Sequence, residues 1–252
     1  TCHLEAGLRS HDRSMPEEIN RVLVDRVADV LWTPSPDAET HLLGEGVPAE
    51  RISFVGNIMI DALEMMRARF SDAQRWSAYA LESDTYGVVT LHRPENVDDT
   101  AQLARIVRAL AQTAQLLPLV VPLHPRTRNR LMVADLLAEL EAAHGIHLAE
   151  PESYVPFMSL VSGAALVITD SGGLQEETTH LQVPCLTLRR GTERPITIEQ
   201  GSNRLVTTDT LIDAAERALA TPARDLPRPQ RWDGRTAERA VADLAARFLH
   251  DQ

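Results

Sequence analysis

The sequence predicts an α/β fold built on parallel sheets. Three observations carry that prediction. Short apolar runs of strand length alternate with amphipathic stretches of helix length along almost all of the 252 residues, the pattern of strands joined by right-handed helical crossovers. Several runs end in loops rich in His, Arg and Gly, at the carboxyl ends of strands where open α/β sheets bind ligands. One of them, 164–168, leads directly into Thr169-Asp170-Ser171-Gly172-Gly173 and a helix over 174–181.

Taken in order, strands are predicted at 30–33, 52–55, 87–91, 119–123, 146–149, 166–169, 184–188 and 204–206. Helices are predicted at 16–28, 37–45, 59–80, 100–116, 153–162, 174–181, 210–220 and 236–250. Pro16 suits a first helical turn, and Glu17 and Glu18 behind it suit the helix dipole. Two strand–helix units precede Gly56-Asn57, and a fresh series of strands runs from Tyr86 to about Val206. A boundary is therefore expected there. Residues 1–56 read as the remnant of an N-terminal doubly wound domain, 57–232 as a whole one, and 233–252 as a C-terminal helix crossing back to the first. Two strands make no stable sheet, so 30–33 and 52–55 are expected to leave unpaired edges. The stretch after Pro222 is rich in Pro and Arg as far as Trp232.

Composition narrows the function. The net charge is −11 and all 25 basic residues are arginine. An acidic balance argues against a nucleic-acid partner. With no lysine, Schiff-base chemistry and a Walker lysine are excluded within these residues. Cys2 and Cys185 have neither metal-ligand spacing nor a disulfide framework, as expected in a reducing cytoplasm. No apolar run is long enough to span a membrane, and no signal peptide is read. The chain starts at Thr1 without an initiator Met and reads like the middle of a domain.

Five segments can carry chemistry. The Ser171-Gly172-Gly173 turn lets a ligand approach the backbone, and the first amides of the following helix have no intrahelical partner, which suits phosphate. Glu177 lies one to two turns further on, where a carboxylate can accept from two ribose hydroxyls. A tight turn with Ser171 as a simple cap uses the same residues. Leu91-His92-Arg93-Pro94-Glu95-Asn96 presents a phosphate or leaving-group pair in His92 and Arg93, or a solvated polar loop. Leu123-His124-Pro125-Arg126-Thr127-Arg128 adds cations at another strand end, or starts a surface helix. Arg189-Arg190-Gly191-Thr192-Glu193-Arg194 places three arginines on the same edge as the glycine turn, which suggests an anionic ligand. In the N-terminal segment, His3-Leu4-Glu5-Ala6-Gly7-Leu8-Arg9 is followed by Met15-Pro16-Glu17-Glu18. The dipole accounts for Glu17 and Glu18 but not for Glu5, and two carboxylates at one site could serve as acid and base.

Together, in this order and spacing from His3 to about Thr208, these segments resemble the non-hydrolysing UDP-N-acetylglucosamine 2-epimerases. The resemblance implies a GT-B arrangement of two Rossmann-like doubly wound domains with the active site in the cleft between them, the N-terminal one incomplete here. It implies that Ser171, Gly172 and Gly173 hold the diphosphate, Glu177 the ribose, Arg194 the UDP, and that Phe157 lines the uracil pocket. His92 matches a histidine close to the diphosphate. Glu5 and Glu17 match acids of proton transfer at the sugar C2, and Arg93 and His124 match two residues of a regulatory UDP-sugar site. The implied partner is a UDP-sugar, with no metal or redox cofactor, a homodimeric assembly, and a product serving cell-envelope polysaccharide.

The family's Gly-Thr-Arg-Pro-Glu segment and the Gly-Asp turn of a third catalytic acid are not found, which corresponds to roughly 90 to 100 residues on the scale of a typical domain. These residues alone are expected to bind UDP weakly and to show little turnover. Glu152 stands where some members have Gln. The run 8–18 is closer to members acting on modified sugars, such as a UDP-diacetamido-uronic acid. A GT-B glycosyltransferase is the alternative from another class, and it has no need of Glu5 and Glu17 together.

Overall fold

The computed structural model describes residues 1–13, 15–221 and 228–248. In chain order the elements are β1 (Cys2–Leu4), α1 (Pro16–Val27), β2 (Val30–Thr33), α2 (Pro36–Gly44), β3 (Ile52–Phe54), α3 (Ile58–Ala73), β4 (Gly87–Thr90), α4 (Pro94–Val97) and α5 (Thr100–Thr113). They continue with β5 (Leu119–Pro122), α6 (Pro125–Val133), α7 (Leu137–Ala142), β6 (Ile146–Ala149), α8 (Tyr154–Ser162), β7 (Leu166–Thr169) and α9 (Gly172–Leu181). The last are β8 (Cys185–Leu188), α10 (Ile196–Glu199), β9 (Asn203–Val206), α11 (Leu211–Ala220) and α12 (Thr236–Phe248). Residues 222–227 of the Pro- and Arg-rich stretch, and the helix end expected at 249–250, lie outside the described residues.

Two compact units share these elements. The first contains Thr1–Met65, Gly191–Gly201 and the described residues from Arg228 onward; the second contains Met66–Arg190 and residues 202–221. Each unit is discontinuous in sequence, which a reading along the chain cannot show.

The first unit holds a parallel sheet of order β1-β2-β3. The expectation of two strands with open edges is corrected by β1, which pairs Cys2, His3 and Leu4 with Val30, Leu31 and Trp32. Thus β2 is paired on both sides. Three residues are too few to display a period, so β1 carried no strand signal. One face of the sheet buries Leu31 and Ile52 with Leu42 of α2; the other buries Val30, Trp32 and Val55 with Ala240 of α12. Polar bonds seat that last helix. Asp243 accepts from Trp32 Nε1 at 2.7 Å and Ser53 Oγ at 2.8 Å. Asp61 caps it, accepting from the amides of Thr236 and Ala237 at 3.0 and 2.8 Å.

The second unit is a six-stranded sheet, β6-β5-β4-β7-β8-β9, in which every adjacent pair is parallel. Strands β5, β7 and β8 are buried along their whole length, as sheets covered on both faces require. Successive strands run outward from β4 to β6, and the chain then returns to place β7 on the other side of β4. The order therefore reverses between β4 and β7, and the loops after these two strands diverge there, leaving the crevice where doubly wound sheets bind ligands.

There are two departures from the predicted elements. The helix expected over 59–80 ends at Ala73, because Gln74 turns left-handed at φ 40° and the Arg75 amide donates to Ser159 Oγ instead of continuing the ladder. Helix α6 realises the surface-helix start read at Pro125, whereas α7 was not predicted.

Candidate functional site

The carboxyl edge of the second unit is organised by Asp170, a fully buried carboxylate at the end of β7. It accepts from the amides of His92 and Arg93 at 3.0 and 2.9 Å and from Asn96 Nδ2 at 3.0 Å. Its Oδ1 also lies 3.1 Å from His92 Nδ1. Burial alone would push the Asp170 carboxyl up, but the His92 ring, the Arg93 amide and Asn96 outweigh it and hold the group below the usual carboxylate range. Asn96 makes a second bond, to the Leu188 carbonyl at 2.9 Å, so the ends of β4, β7 and β8 are tied together.

This clamp orients His92. A carboxylate at Nδ1 makes that nitrogen the donor and leaves Nε2 for a ligand. The ring is about one-third exposed. The His124 ring lies 5.4 Å away, centroid to centroid. His124 itself caps α6, its Nδ1 accepting from the Arg126 amide at 3.2 Å, so this segment starts a helix. Arg93 is half-buried beside His92.

The glycine turn leads into α9. Ser171 is its N-cap, with Oγ accepting from the Leu174 amide at 3.5 Å, and its own amide donates to Thr169 Oγ1 at 3.0 Å. A Cβ on Gly173 would meet no atom within 4 Å. Protein packing therefore does not demand a glycine there; what the residue leaves is open space at a helix N-terminus. Gly172 is buried behind it.

On the same helix Glu177 is 6% exposed and accepts a 2.9 Å bond from Tyr154 Oη. Burial pushes this carboxyl up to about 7, with nearby Glu176 adding and Tyr154 opposing. Tyr154 opens α8, and Phe157 lies one turn along the same helix face, half-buried.

The first unit carries Glu5, Glu17 and Arg194. Glu5 follows β1 in a left-handed conformation, φ 68°, and its Oε1 is buried without a hydrogen-bond partner among the described residues. Glu17 is exposed in the first turn of α1. Its neighbour Glu18 is different: it is buried and accepts from the amides of Ser10 and His11 at 2.8 and 3.0 Å, tying the helix start to the preceding loop. The dipole account is thus replaced for Glu18 by a specific anchoring role.

The three-arginine expectation is corrected as well. Arg194 lies in the segment that folds with the first unit, and its Nη1 is 2.6 Å from Glu193 Oε1. Arg189 lies 3.8 Å from Glu95 Oε1. Two of the three cations are in ion pairs, so the cluster is not a row of uncompensated charge. Sequence reasoning missed Asn96 and Asp25 as structural carboxyl-edge partners. Asn96 had a signal, since Pro94 opens a one-turn helix of which Asn96 is the third residue; Asp25 had none within helix α1.

Fold and edge together define a protein of the parallel, doubly wound α/β class, with its crevice at the β4/β7 switch point. The family model for UDP-N-acetylglucosamine 2-epimerase matches residues 1–245, and the chain belongs to that family. It is 40% identical over 260 residues to the UDP-N-acetylglucosamine 2-epimerase of Methanocaldococcus jannaschii, covering 96% of this chain and 68% of the relative. It is 37% identical to the UDP-2,3-diacetamido-2,3-dideoxy-D-glucuronate 2-epimerase of Pseudomonas aeruginosa, covering 98% and 68%. The crystal structure of the M. jannaschii UDP-GlcNAc 2-epimerase in complex with UDP-GlcNAc and UDP superposes with a TM-score of 0.87 at 39% identity, covering 97% and 68%. The parallel α/β fold is that of GT-B epimerases of this family. The chain spans 57% to 68% of the length of the first four curated relatives it matches. No helix among the described residues is long and apolar enough to cross a membrane.

Proposed function

We propose that this protein is a UDP-N-acetylglucosamine 2-epimerase, interconverting UDP-GlcNAc and UDP-ManNAc. The observation that carries the reading is the α9 N-terminus, with open space above Gly173 and a buried carboxylate, Glu177, one turn further along the same helix. The Ser171, Gly172 and Gly173 backbone receives the diphosphate, Glu177 the ribose hydroxyls, and Phe157 the uracil. His92, held through Nδ1 by Asp170, presents Nε2 to the diphosphate as it leaves. Arg194 adds positive charge for UDP.

In the proposed reaction a base takes the proton from C2 of the sugar while the C1–O bond to UDP breaks, giving a 2-acetamidoglucal. UDP then adds back to C1 as an acid delivers a proton to the other face of C2. Glu5 and Glu17 are the proposed acid and base. Hydrogen moves as a proton throughout, so the chemistry calls for no redox cofactor. Arg93 and His124 are proposed to serve a regulatory UDP-sugar site. The proposal includes a homodimer, supported by the exposed apolar side chains of Ile19, Leu23, Val24 and Val27 on α1, and a cytoplasmic enzyme supplying cell-envelope polysaccharide.

Incubating the full-length gene product with UDP-GlcNAc in deuterated water tests the reading: an epimerase incorporates deuterium at C2, and a glycosyltransferase of the same fold does not. The similarity to the P. aeruginosa enzyme supports a second reading, the same chemistry on a diacetamido-uronate. Offering both sugars separates the two, since turnover of the uronate alone overturns UDP-GlcNAc as substrate.

A further inference from the structure

The N-terminal unit contains a buried carboxylate to which neither the family features nor the proposed chemistry assigns a role. Asp25, on the third turn of α1, is 1% exposed. Its Oδ1 accepts from His3 Nδ1 at 2.6 Å. Its Oδ2 accepts from the Gly7 amide at 3.1 Å and lies 2.7 Å from Arg9 Nη1. One carboxylate therefore grips the chain two residues before Glu5 and two residues after it.

The rest of the turn is pinned with equal care. The Ala6 amide donates to the Trp32 carbonyl at 3.0 Å, and His41 Nδ1 donates to the Gly7 carbonyl at 3.0 Å. Arg9 completes the frame by pairing with Glu45 through Nε at 2.7 Å and Nη2 at 2.8 Å. Inside this frame Glu5 keeps a left-handed backbone that a residue with a Cβ adopts only when its surroundings impose it. Within this frame the buried Oε1 of Glu5 has no hydrogen-bond partner among the described residues.

A buried ion network is a weak source of stability, because desolvation offsets most of the attraction and well-packed apolar replacements are often as stable. What such a network does supply is a single geometry. Here the geometry is that of a loop whose centre is a strained glutamate with an uncommitted carboxylate. We infer that Asp25 is a positioning residue for Glu5: it holds the His3–Gly7 turn so that the Glu5 carboxylate is aimed for proton transfer, without itself touching substrate. The inference rests on the proposed role of Glu5.

The experiment compares Glu5→Gln, Asp25→Asn and the double variant in the full-length gene product, reading kcat and KM for epimerisation, C2 deuterium incorporation and thermal midpoint. In Asp25→Asn an amide donor faces His3 on one side or Gly7 and Arg9 on the other, so the turn loses part of its grip. Expected are a fall in kcat of about tenfold or more, as small misplacement of a reacting group produces, and a KM within about twofold. In the Glu5→Gln background the same change should lower kcat no further, since the two residues act through one group. Unchanged kcat per folded molecule in Asp25→Asn, with Glu5→Gln inactive, overturns the positioning role and leaves the proposed function intact. Full C2 exchange in Glu5→Gln overturns the assignment of Glu5 and this inference with it. If Asp25→Asn does not fold, His3→Gln removes one arm of the grip and is judged by the same kcat and KM criteria.

Discussion

Tyr154 Oη donates a 2.9 Å hydrogen bond to Oε1 of Glu177, joining the first turn of α8 to the second turn of α9. The bond stabilises the ionised carboxylate, yet burial wins and the carboxyl is pushed up to about 7. A free protein near neutral pH thus holds this group close to half-protonated, whereas a ribose diol would bind best to its anion.

The first prediction concerns stability. Because the folded pKa is raised, the contribution of Glu177 is most favourable below the ordinary carboxylate value and is lost as pH rises through about 7. Glu177→Gln should therefore stabilise the ligand-free protein increasingly between pH 4.5 and 7, by up to about 3 kcal/mol above that range, while weakening UDP binding. Chemical denaturation at pH 5 and pH 8 with and without UDP checks both halves. An equal effect at the two pH values would show that the side chain does not titrate as described.

Tyr154→Phe removes the hydrogen bond that opposes burial at Glu177. The Glu177 carboxyl should then titrate at still higher pH, and UDP-GlcNAc affinity at pH 7 should fall more than at pH 8.5. Calorimetry in two buffers of different ionisation enthalpy would register the larger proton release on binding.

Gly173→Ala separates a nucleotide cradle from a plain turn. No protein atom lies within 4 Å of the added methyl, and alanine is the better helix former by about 1 kcal/mol. The variant should fold as stably as the parent or more so, with nucleotide affinity reduced at least about tenfold, or about 1.4 kcal/mol. Unchanged UDP affinity would remove the diphosphate from this turn.

Asp170→Asn should act in the opposite sense to Glu177→Gln. The depressed carboxyl of Asp170 contributes stability above the ordinary carboxylate value and loses it as pH falls through the lowered folded value. At pH 7 the variant should lose about 3 kcal/mol, since a buried carboxylate with charge-assisted bonds is broken, and its deficit should shrink in acid. Asn96→Ala, which unties Leu188 from the same edge, should cost less, about 1–2 kcal/mol, and both losses are read from urea midpoints.

Gly7→Ala tests the frame around Glu5. Gly7 has φ 82° and a Cβ there would collide with the Ala38 carbonyl of α2. A loss of more than about 2 kcal/mol is expected, and a variant of parent stability would show that the turn can move.

Much of this protein was legible along the chain. All eight expected strands form within a residue or so of their predicted ends, because burial on a strand imposes a local apolar run. The Ser171-Gly172-Gly173 turn fell where predicted for a similar reason: cap, glycines and strand are neighbours in sequence. The arginines after β8 were read without their ion-pair partners, Glu95 and Glu193, which pair with Arg189 and Arg194 in the fold. Glu18 was read as a dipole acid because its partners, the Ser10 and His11 amides, are brought to it by a turn that leaves no periodic trace.

The sequence by itself determined the alternation of strands and helices, the parallel class, the polar strand ends and the family, since each rests on residues close in sequence or on an ordered set of motifs. The tertiary structure alone decided which carboxylates are anchors and which is uncommitted. Asp25 meets His3 across 22 residues, and Asp170 meets His92 across 78. Those pairings, made only when the chain folds back on itself, leave Glu5 with a buried oxygen that no donor among the described residues satisfies.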